Sequence, residues 1–251
     1  MYNSMLRKRR LLVITLLLTF ITFIAIPIGV YASPIQDEPQ IVFQKNEITD
    51  QNILFDRAKR SISDIGHSKI NSKANIKDYR GNVDELDTYS TTQHLKTLEY
   101  LDGTIDDYFA TTVFAVIPAA SYSDYFSKWD GSYGIKAYST IYWSKVYDTN
   151  GLLYYRFDKT TGGWIREDST LLLSNRKVML GQYGWQLNGF WDDPTKYYYP
   201  SSNSYTYYPG WNAVFAGDAF DFGMNSTVTI QHGSQGRPYT LHMVNTYNES
   251  W

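Results

Sequence analysis

Cysteine is absent and histidine is scarce, and these two shortages exclude several kinds of site. The 251 residues include no cysteine and four histidines. Without cysteine the chain forms no disulfide, holds no cysteine-ligated zinc and performs no thiol chemistry. His232 and His242 fall near each other on a predicted hairpin, but no third ligand is spaced with them to complete a zinc site. Stability must therefore come from packing.

Basic residues are slightly outnumbered by acidic ones, and several are concentrated at the start of the chain. Residues 7–10 are all basic and precede an apolar run over residues 11–30 that ends in small residues at Ala32. This arrangement is typical of a signal peptide, and we predict cleavage between Ala32 and Ser33. An uncleaved run of this length also spans a bilayer, so the alternative is an anchor holding the domain on the outer face of the cytoplasmic membrane.

The net charge argues against two classes of partner. Removing residues 1–32 takes away four of the 23 basic and none of the 25 acidic residues, so the net charge changes from −2 to −6. Nucleic-acid binding needs clustered Lys and Arg, which this chain lacks. Anionic lipids and polymers are repelled by the same surface. Contact with a membrane is expected only through the N-terminal segment, if it stays uncleaved.

The composition divides the exported part near residue 110. Residues 33–110 are polar, with few large apolar side chains, and we predict a partly helical or disordered segment that serves as a propeptide or spacer. Apolar residues at helical spacing indicate one short helix, capped by Thr49 or Asp50 and ending at Gly66. These apolar residues are Leu54, Ala58, Ile62 and Ile65.

Residues 111–251 carry the composition of an all-β domain. Val, Ile, Tyr, Phe, Trp and Thr are interrupted by turn-forming residues about every ten positions, so we predict six to eight strands. The predicted fold is mainly β, an antiparallel β-sandwich of immunoglobulin-like or jelly-roll-like type. A C-terminal hairpin pairs residues 227–232 with 239–246, and further strands are predicted at 171–173 and 178–182.

The register of one hairpin can be decided from the sequence. Residues 135–144 alternate between two faces, and Gly151 suits the positive φ of a turn. A two-residue turn would pair Trp143 with Asp158, which is an unfavourable apolar–charged match. A three-residue loop with a bulge closes Asp148 on Leu152 and pairs Trp143 with Phe157. We therefore predict the bulged hairpin.

Four short strings give the chain a resemblance to a known group. They are Tyr138-Ser139-Thr140-Ile141-Tyr142, Gly162-Gly163-Trp164, Ser174-Asn175-Arg176 and Asn225-Ser226-Thr227-Val228-Thr229-Ile230. Over about residues 130–246 the chain resembles uncharacterised exported β-rich proteins of Gram-positive bacteria. The resemblance implies a secreted β domain and carries no catalytic residue.

Aromatic side chains are concentrated between residues 183 and 222, where they make up fourteen of forty positions. Flat rings stack on the apolar faces of sugars, and tyrosine hydroxyls bond to their hydroxyl groups. Because residues 197–208 are rich in Pro, Ser and Asn, we predict a binding loop there. The candidate binding residues are Trp191, Tyr197, Tyr198, Tyr199, Tyr205, Tyr207, Tyr208 and Trp211. The predicted core residues are Trp185, Phe190, Phe215 and Phe220.

Carboxylates form a second, weaker set of candidates. Asp218 and Asp221 flank Phe220, and most glycosidases use a pair of carboxylic acids for catalysis. Asp192 and Asp193 precede Pro194, where they begin a turn or contribute oxygens to a calcium ion. No motif supports calcium, so we expect no cofactor.

Three functions from different classes are compatible with these patterns. We favour a secreted or cell-surface module that binds an envelope glycan or polymer without catalysis. The first alternative is a secreted competition factor that binds an extracellular protein, since Tyr and Trp also dominate protein interfaces. The second is an envelope polysaccharide hydrolase that uses the acids named above.

Overall fold

Most of the described chain forms β-strands, in which inward-facing and outward-facing side chains alternate. The computed structural model describes residues 38–65, 70–118, 133–217 and 219–248, so the predicted cleavage site at Ala32 and Ser33 lies outside the described residues. In chain order the elements are β1 (Gln40–Gln44), α1 (Gln51–Lys59), β2 (Ile70–Lys77), β3 (Val83–Leu86), β4 (Thr88–Glu99), β5 (Ile105–Pro118), β6 (Tyr133–Tyr147), β7 (Leu153–Arg166), β8 (Leu171–Trp185), β9 (Trp191–Asp192), β10 (Thr195–Tyr198), β11 (Ser204–Tyr207), β12 (Val214–Phe215), β13 (Asp221–His232) and β14 (Tyr239–Asn248).

These strands form two packed antiparallel sheets, which confirms the predicted β-sandwich. Sheet I has the order β1-β4-β5-β6-β7-β11, and β12 also pairs with β7. Sheet II has the order β10-β8-β13-β14-β2-β3, and β9 also pairs with β8. Each sheet has seven strands in the described ranges. Ten of these fourteen strands, β5 to β14, lie wholly or partly in residues 111–251, where six to eight were predicted.

The space between the sheets is filled largely by aromatic rings. The Trp143 ring of sheet I stacks on Phe109, with centroids 4.5 Å apart, and also lies 4.5 Å from Tyr247 of sheet II. Its indole N–H donates to Thr111 Oγ1 at 3.0 Å, so the polar atom of this fully buried side chain has a partner. Rings that bury both their area and their polar atom hold the sheets together in a chain without disulfides.

The predicted bulged hairpin is confirmed residue by residue. Trp143 pairs with Phe157 across β6 and β7, and Tyr147 pairs with Leu153. The Asp148 N–H donates to the Leu152 carbonyl at 3.0 Å, which closes the three-residue loop. Gly151 has φ +77°, the conformation that the bulge requires.

The C-terminal hairpin is also confirmed, but its neighbouring strand is longer than predicted. β13 pairs with β14 from Asp221 onward, so β13 begins before the expected residue 227. The two strands predicted at 171–173 and 178–182 are one strand, β8. The register of β8 on β13 shifts next to Asn175, which has φ +48°, so a bulge joins the two halves.

The prediction of a polar spacer over residues 33–110 is wrong for its described part. Strands β1 to β4 lie there, and residues 38–251 form one compact unit. Polarity was misleading because β-branched threonines fit strands and bond to one another when buried. Thr92 Oγ1 lies 2.9 Å from Thr111 Oγ1, and Thr112 Oγ1 lies 2.8 Å from Thr140 Oγ1.

Helix α1 is confirmed in this region and covers the outer face of sheet I. Asp50 caps it by accepting from the N–H groups of Asn52 and Ile53, at 2.8 and 3.1 Å. The helix ends at Lys59, well before Gly66. Its buried residues, Leu54, Phe55 and Ala58, pack against sheet I. In the part of the chain that the structure describes, no helix is long and apolar enough to cross a membrane.

The placement of Trp143 in the core and of Trp185 on the surface can be tested by measuring the free energy of unfolding of variants. We expect Trp143→Ala to lower the free energy of unfolding by about 3–5 kcal/mol, because the side chain is fully buried. Trp185→Ala, with an indole 55% exposed, should lower it by less than about 1 kcal/mol. Urea unfolding of both variants measures the difference, and equal losses would contradict this arrangement.

Candidate functional site

Residues 197–208 contain the end of one edge strand, a short connection and a second edge strand, where the sequence predicted a single loop. β10 pairs with β8 in sheet II, and β11 pairs with β7 in sheet I. Residues 199–203 connect them and carry the chain from one sheet to the other. The Pro and Ser residues therefore mark a short connection, while the flanking tyrosines alternate as strand residues do.

Four of the predicted binding residues pack the edge of the sandwich. The rings of Tyr198 and Tyr207 stack at 3.8 Å, which links the two edge strands. Tyr205 is buried and lies 5.5 Å from the ring of Trp164, and burial raises its pKa far above the usual range. Trp211 packs edge-on to Phe157. Tyr198, Tyr205, Tyr207 and Trp211 therefore stabilise the fold.

The other four predicted residues are exposed, but they do not share one surface. Trp191 and Tyr197 lie on strands of sheet II, on the side facing away from the core. Tyr199 and Tyr208, 73% and 67% exposed, flank the two edge strands. The surface that unites Trp191 and Tyr197 contains residues that the sequence did not select.

Two aromatic residues that the sequence placed in the core lie on the surface instead. Trp185 and Phe190 are 55% and 71% exposed, whereas Phe220 is buried as predicted and Phe215 is half-buried. β8 extends to Trp185, so its period of two directs Tyr183 and Trp185 outward. Extending the alternation of residues 178–182 by three positions would have indicated this.

Trp185, Trp191 and Tyr183 form a ridge of rings on the outer face of sheet II. Trp185 and Trp191 face each other across β8 and β9, with centroids 5.8 Å apart in an edge-on arrangement. Tyr183 lies 6.1 Å from Trp191. The hairpin continues to an apolar tip at Leu187 and Phe190.

A groove of about 200 Å³ lies beside this ridge and has glycine at its floor. Gly181 of β8 is paired with Gly223 of β13. One wall contains Tyr183, and the other, four residues along β8, contains Met179. The walls are about 13 Å apart along the strand, since each residue advances it by about 3.3 Å.

The two floor glycines have different reasons to be glycine. Gly223 has φ +153°, and a Cβ there would lie 2.3 Å from the Asn245 carbonyl oxygen, so the backbone requires glycine. A Cβ on Gly181 would meet nothing within 4 Å. Gly181 therefore leaves open space that a side chain could fill without strain.

Polar side chains complete the walls of the groove. Asp221 of β13 pairs with Tyr183, and four residues along β13, Asn225 pairs with Met179. Asp193 and Thr195 approach from the β9–β10 side, and Thr246 from β14. Tyr197, the neighbour of Met179 on β10, is 53% exposed. The outer face thus combines aromatic rings with hydrogen-bonding groups around a floor without side chains.

The surroundings of the Asp221 carboxyl group change its pKa. Burial raises its pKa to about 6, against opposing hydrogen bonds from Asn248, Thr246 and the Phe222 N–H. Its partner in the predicted catalytic pair, Asp218, lies outside the described residues. A second carboxylate, that of Asp193, lines the same groove.

Asp192 and Asp193 do not act together. Asp192 accepts from the Gln186 side chain at 2.9 Å, while Asp193 lines the groove. No group of three or more His, Asp or Glu side chains suited to a metal ion occurs among the described residues. The histidines are also dispersed: His94 stacks between Phe43 and Phe109, and His242 lies on the outer side of β14.

A larger cleft, about 430 Å³, lies on sheet I beside helix α1. The Tyr142 hydroxyl there donates to Glu47 Oε1 at 2.6 Å, and burial raises the pKa of Tyr142 above its usual range. The Tyr142 hydroxyl and the Glu47 carboxylate are therefore already hydrogen-bonded to each other. The groove of sheet II is the better candidate because its rings and polar groups face outward.

No family model, curated protein or solved structure matches this chain. The resemblance to exported Gram-positive proteins therefore stays a prediction, and the site must be interpreted from its geometry.

The raised pKa of Asp221 predicts a pH-dependent cost to stability. The folded-state pKa of about 6 exceeds the ordinary aspartate value of 3.8, so folding favours the protonated form and stability falls as pH rises from about 4 to 6. We expect Asp221→Asn to raise the melting temperature at pH 7 and to leave it almost unchanged at pH 4.

Asp193→Asn is the matched control, because Asp193 is exposed. Thermal unfolding at both pH values measures the effect. An Asp221→Asn variant destabilised at pH 7, or equally stabilised at both pH values, would show that the carboxyl is not held in this environment.

Proposed function

We propose that this protein is a secreted or cell-surface module that binds an envelope glycan at the groove of sheet II without catalysing a reaction. The observation that carries the proposal is the aromatic ridge beside a glycine floor with polar walls. Sugar rings present apolar faces to aromatic side chains and hydroxyl groups to carboxylates and amides. Both kinds of partner lie within one outward surface here.

The rigidity of the surface supports this function. Tyr183 and Met179 lie on β8, which is paired on both sides by hydrogen-bonded strands. Groups fixed on a sheet lose little conformational freedom when a ligand binds, so more of the contact energy contributes to affinity. The N-terminal sequence supports the location, since a signal peptide or anchor would place the groove outside the cell.

A protein partner is the second candidate, favoured by the tip of the β8–β9 hairpin. Leu187 and Phe190 are 49% and 71% exposed there, next to the two tryptophans. Exposed apolar side chains at a turn are suited to insertion into a pocket of another protein. The tip and the groove are separate enough to be altered independently.

Pull-down with insoluble envelope material and a panel of polysaccharides tests the glycan proposal. We expect Gly181→Leu to abolish retention, because leucine fills the groove without straining the backbone. Replacing both Trp185 and Trp191 by Ala should weaken retention about five- to hundredfold, as loss of about 0.5–1.5 kcal/mol per stacked ring implies. Tyr199→Ser is the control, since Tyr199 is exposed away from the groove.

The outcomes separate the two candidates. Retention lost in the groove variants and kept in the control supports the glycan site. In the alternative outcome, the Gly181→Leu variant is retained while a variant with Leu187 and Phe190 changed to Ser is not. This result would place the binding contact at the hairpin tip and favour a protein partner. Retention lost only in Tyr199→Ser would refute both.

A further inference from the structure

The lining of the sheet II groove is rich in acceptors and lacks positive charge. Its titratable members are Tyr183, Asp193 and Asp221, and no Lys, Arg or His lines it within the described residues. The pKa of Tyr183 is raised by burial and then by the carboxylates of Asp221 and Asp193. Asp221 is the partner of Tyr183 on β13, and Asp193 lines the groove from the β9–β10 side, so the two acids flank the phenol from different strands.

Two oxygens beside the groove increase this excess of acceptors. Asp221 Oδ1 and Asn225 Oδ1 are buried and receive no well-formed hydrogen bond from the described part of the chain. Buried acceptors without donors are costly, and a cation in the groove lowers that cost through its field even without touching them. On the far wall, Lys177 lies over the Tyr197 ring at 4.5 Å and does not line the groove.

Tyr183, Asp193 and Asp221 lie around one position in the groove. Tyr183 is the direct neighbour of Asp221 across β8 and β13, and Asp193 lies at the β9–β10 side of the same ring. A ring flanked by two carboxylates binds an ammonium group through charge-assisted hydrogen bonds at its edge and attraction to its face. The exposed Asp193 and the half-buried Asp221 leave this position open to solvent.

We propose that the groove selects a glycan carrying free amino groups, with one protonated amine held between Asp193 and Asp221 against Tyr183. This inference rests on the glycan-binding function and names its ligand class as amino sugars without N-acetyl groups. N-acetylation removes the positive charge and adds bulk at the same nitrogen. The acetylated form of the same sugar is therefore the sharpest comparison.

Isothermal titration of the full-length protein with hexamers of glucosamine and of N-acetylglucosamine at pH 7 tests the inference. We expect the glucosamine hexamer to bind about ten- to hundredfold more tightly, the effect of a hydrogen bond to a charged group. Changing Asp193 and Asp221 together to Asn should bring the two affinities together. Asp192→Asn is the matched control, since Asp192 bonds to Gln186 and does not line the groove.

The pH dependence gives a second readout. As pH rises from 5 through about 6, Asp221 ionises and the affinity for the glucosamine hexamer should increase. At higher pH the sugar amines lose their protons and this affinity should fall again, while that for the acetylated hexamer stays level throughout. The groups facing Asp221 are Tyr183 on β8 and Asn248 and Thr246 on β14, with Asp193 at the β9–β10 side. None of these other groups is basic.

The outcomes distinguish this inference from the function on which it rests. Equal binding of both hexamers, lost in Gly181→Leu, would overturn the amine preference and leave the glycan function intact. A preference that survives in the double Asn variant would also overturn it. Failure of the wild-type protein to bind either hexamer or any polysaccharide of the panel would overturn both proposals.

Discussion

The ring cluster between the two sheets is the interaction on which the rest of the structure depends. Trp143 contacts Phe109 in its own sheet and Tyr247 in the opposite one, so one indole joins both layers. Asn245 adds a polar link, since its side-chain amide donates to the Thr111 and Ser139 carbonyls at 3.3 and 3.0 Å. In a chain without disulfides, these buried contacts must hold the sandwich together.

Because side chains alternate along a strand, the residues fixed in the core also determine which residues lie on the outer faces of the sheets. Leu180 and Phe222 point into the core, so the residues that follow them, Gly181 and Gly223, point outward. Tyr183 lies two residues after Gly181 on β8 and points outward as well. The groove is therefore a consequence of strand register as well as of composition. A one-residue slip of β8 on β13 would bury Tyr183 and expose Leu180, so the ring cluster that fixes the register also preserves the groove.

Local patterns predicted the parts of the fold that local physics determines. The hairpin at Gly151 followed from pairing adjacent segments, and the cap at Asp50 from residues within one turn of the helix. The threonine-rich strands β4 and β5 were missed in part because their buried hydroxyls bond across strands, which no local pattern reveals. Trp185 was misassigned because strong β-formers occur on both faces of a strand, and Phe190 because it lies in the turn between β8 and β9. The groove needs pairing between residues about forty apart, such as Gly181 with Gly223, and this pairing depends on topology.

Mapping of chemical shifts by NMR during titration with the glucosamine hexamer tests most directly whether the outer face of sheet II is the ligand surface. The structure predicts the largest changes at the backbone of Gly181 and Gly223 and at the indole signals of Trp185 and Trp191, with little change at the buried Trp143. Changes confined to the cleft around Glu47 and Tyr142 on sheet I would contradict it and move the site to the opposite face.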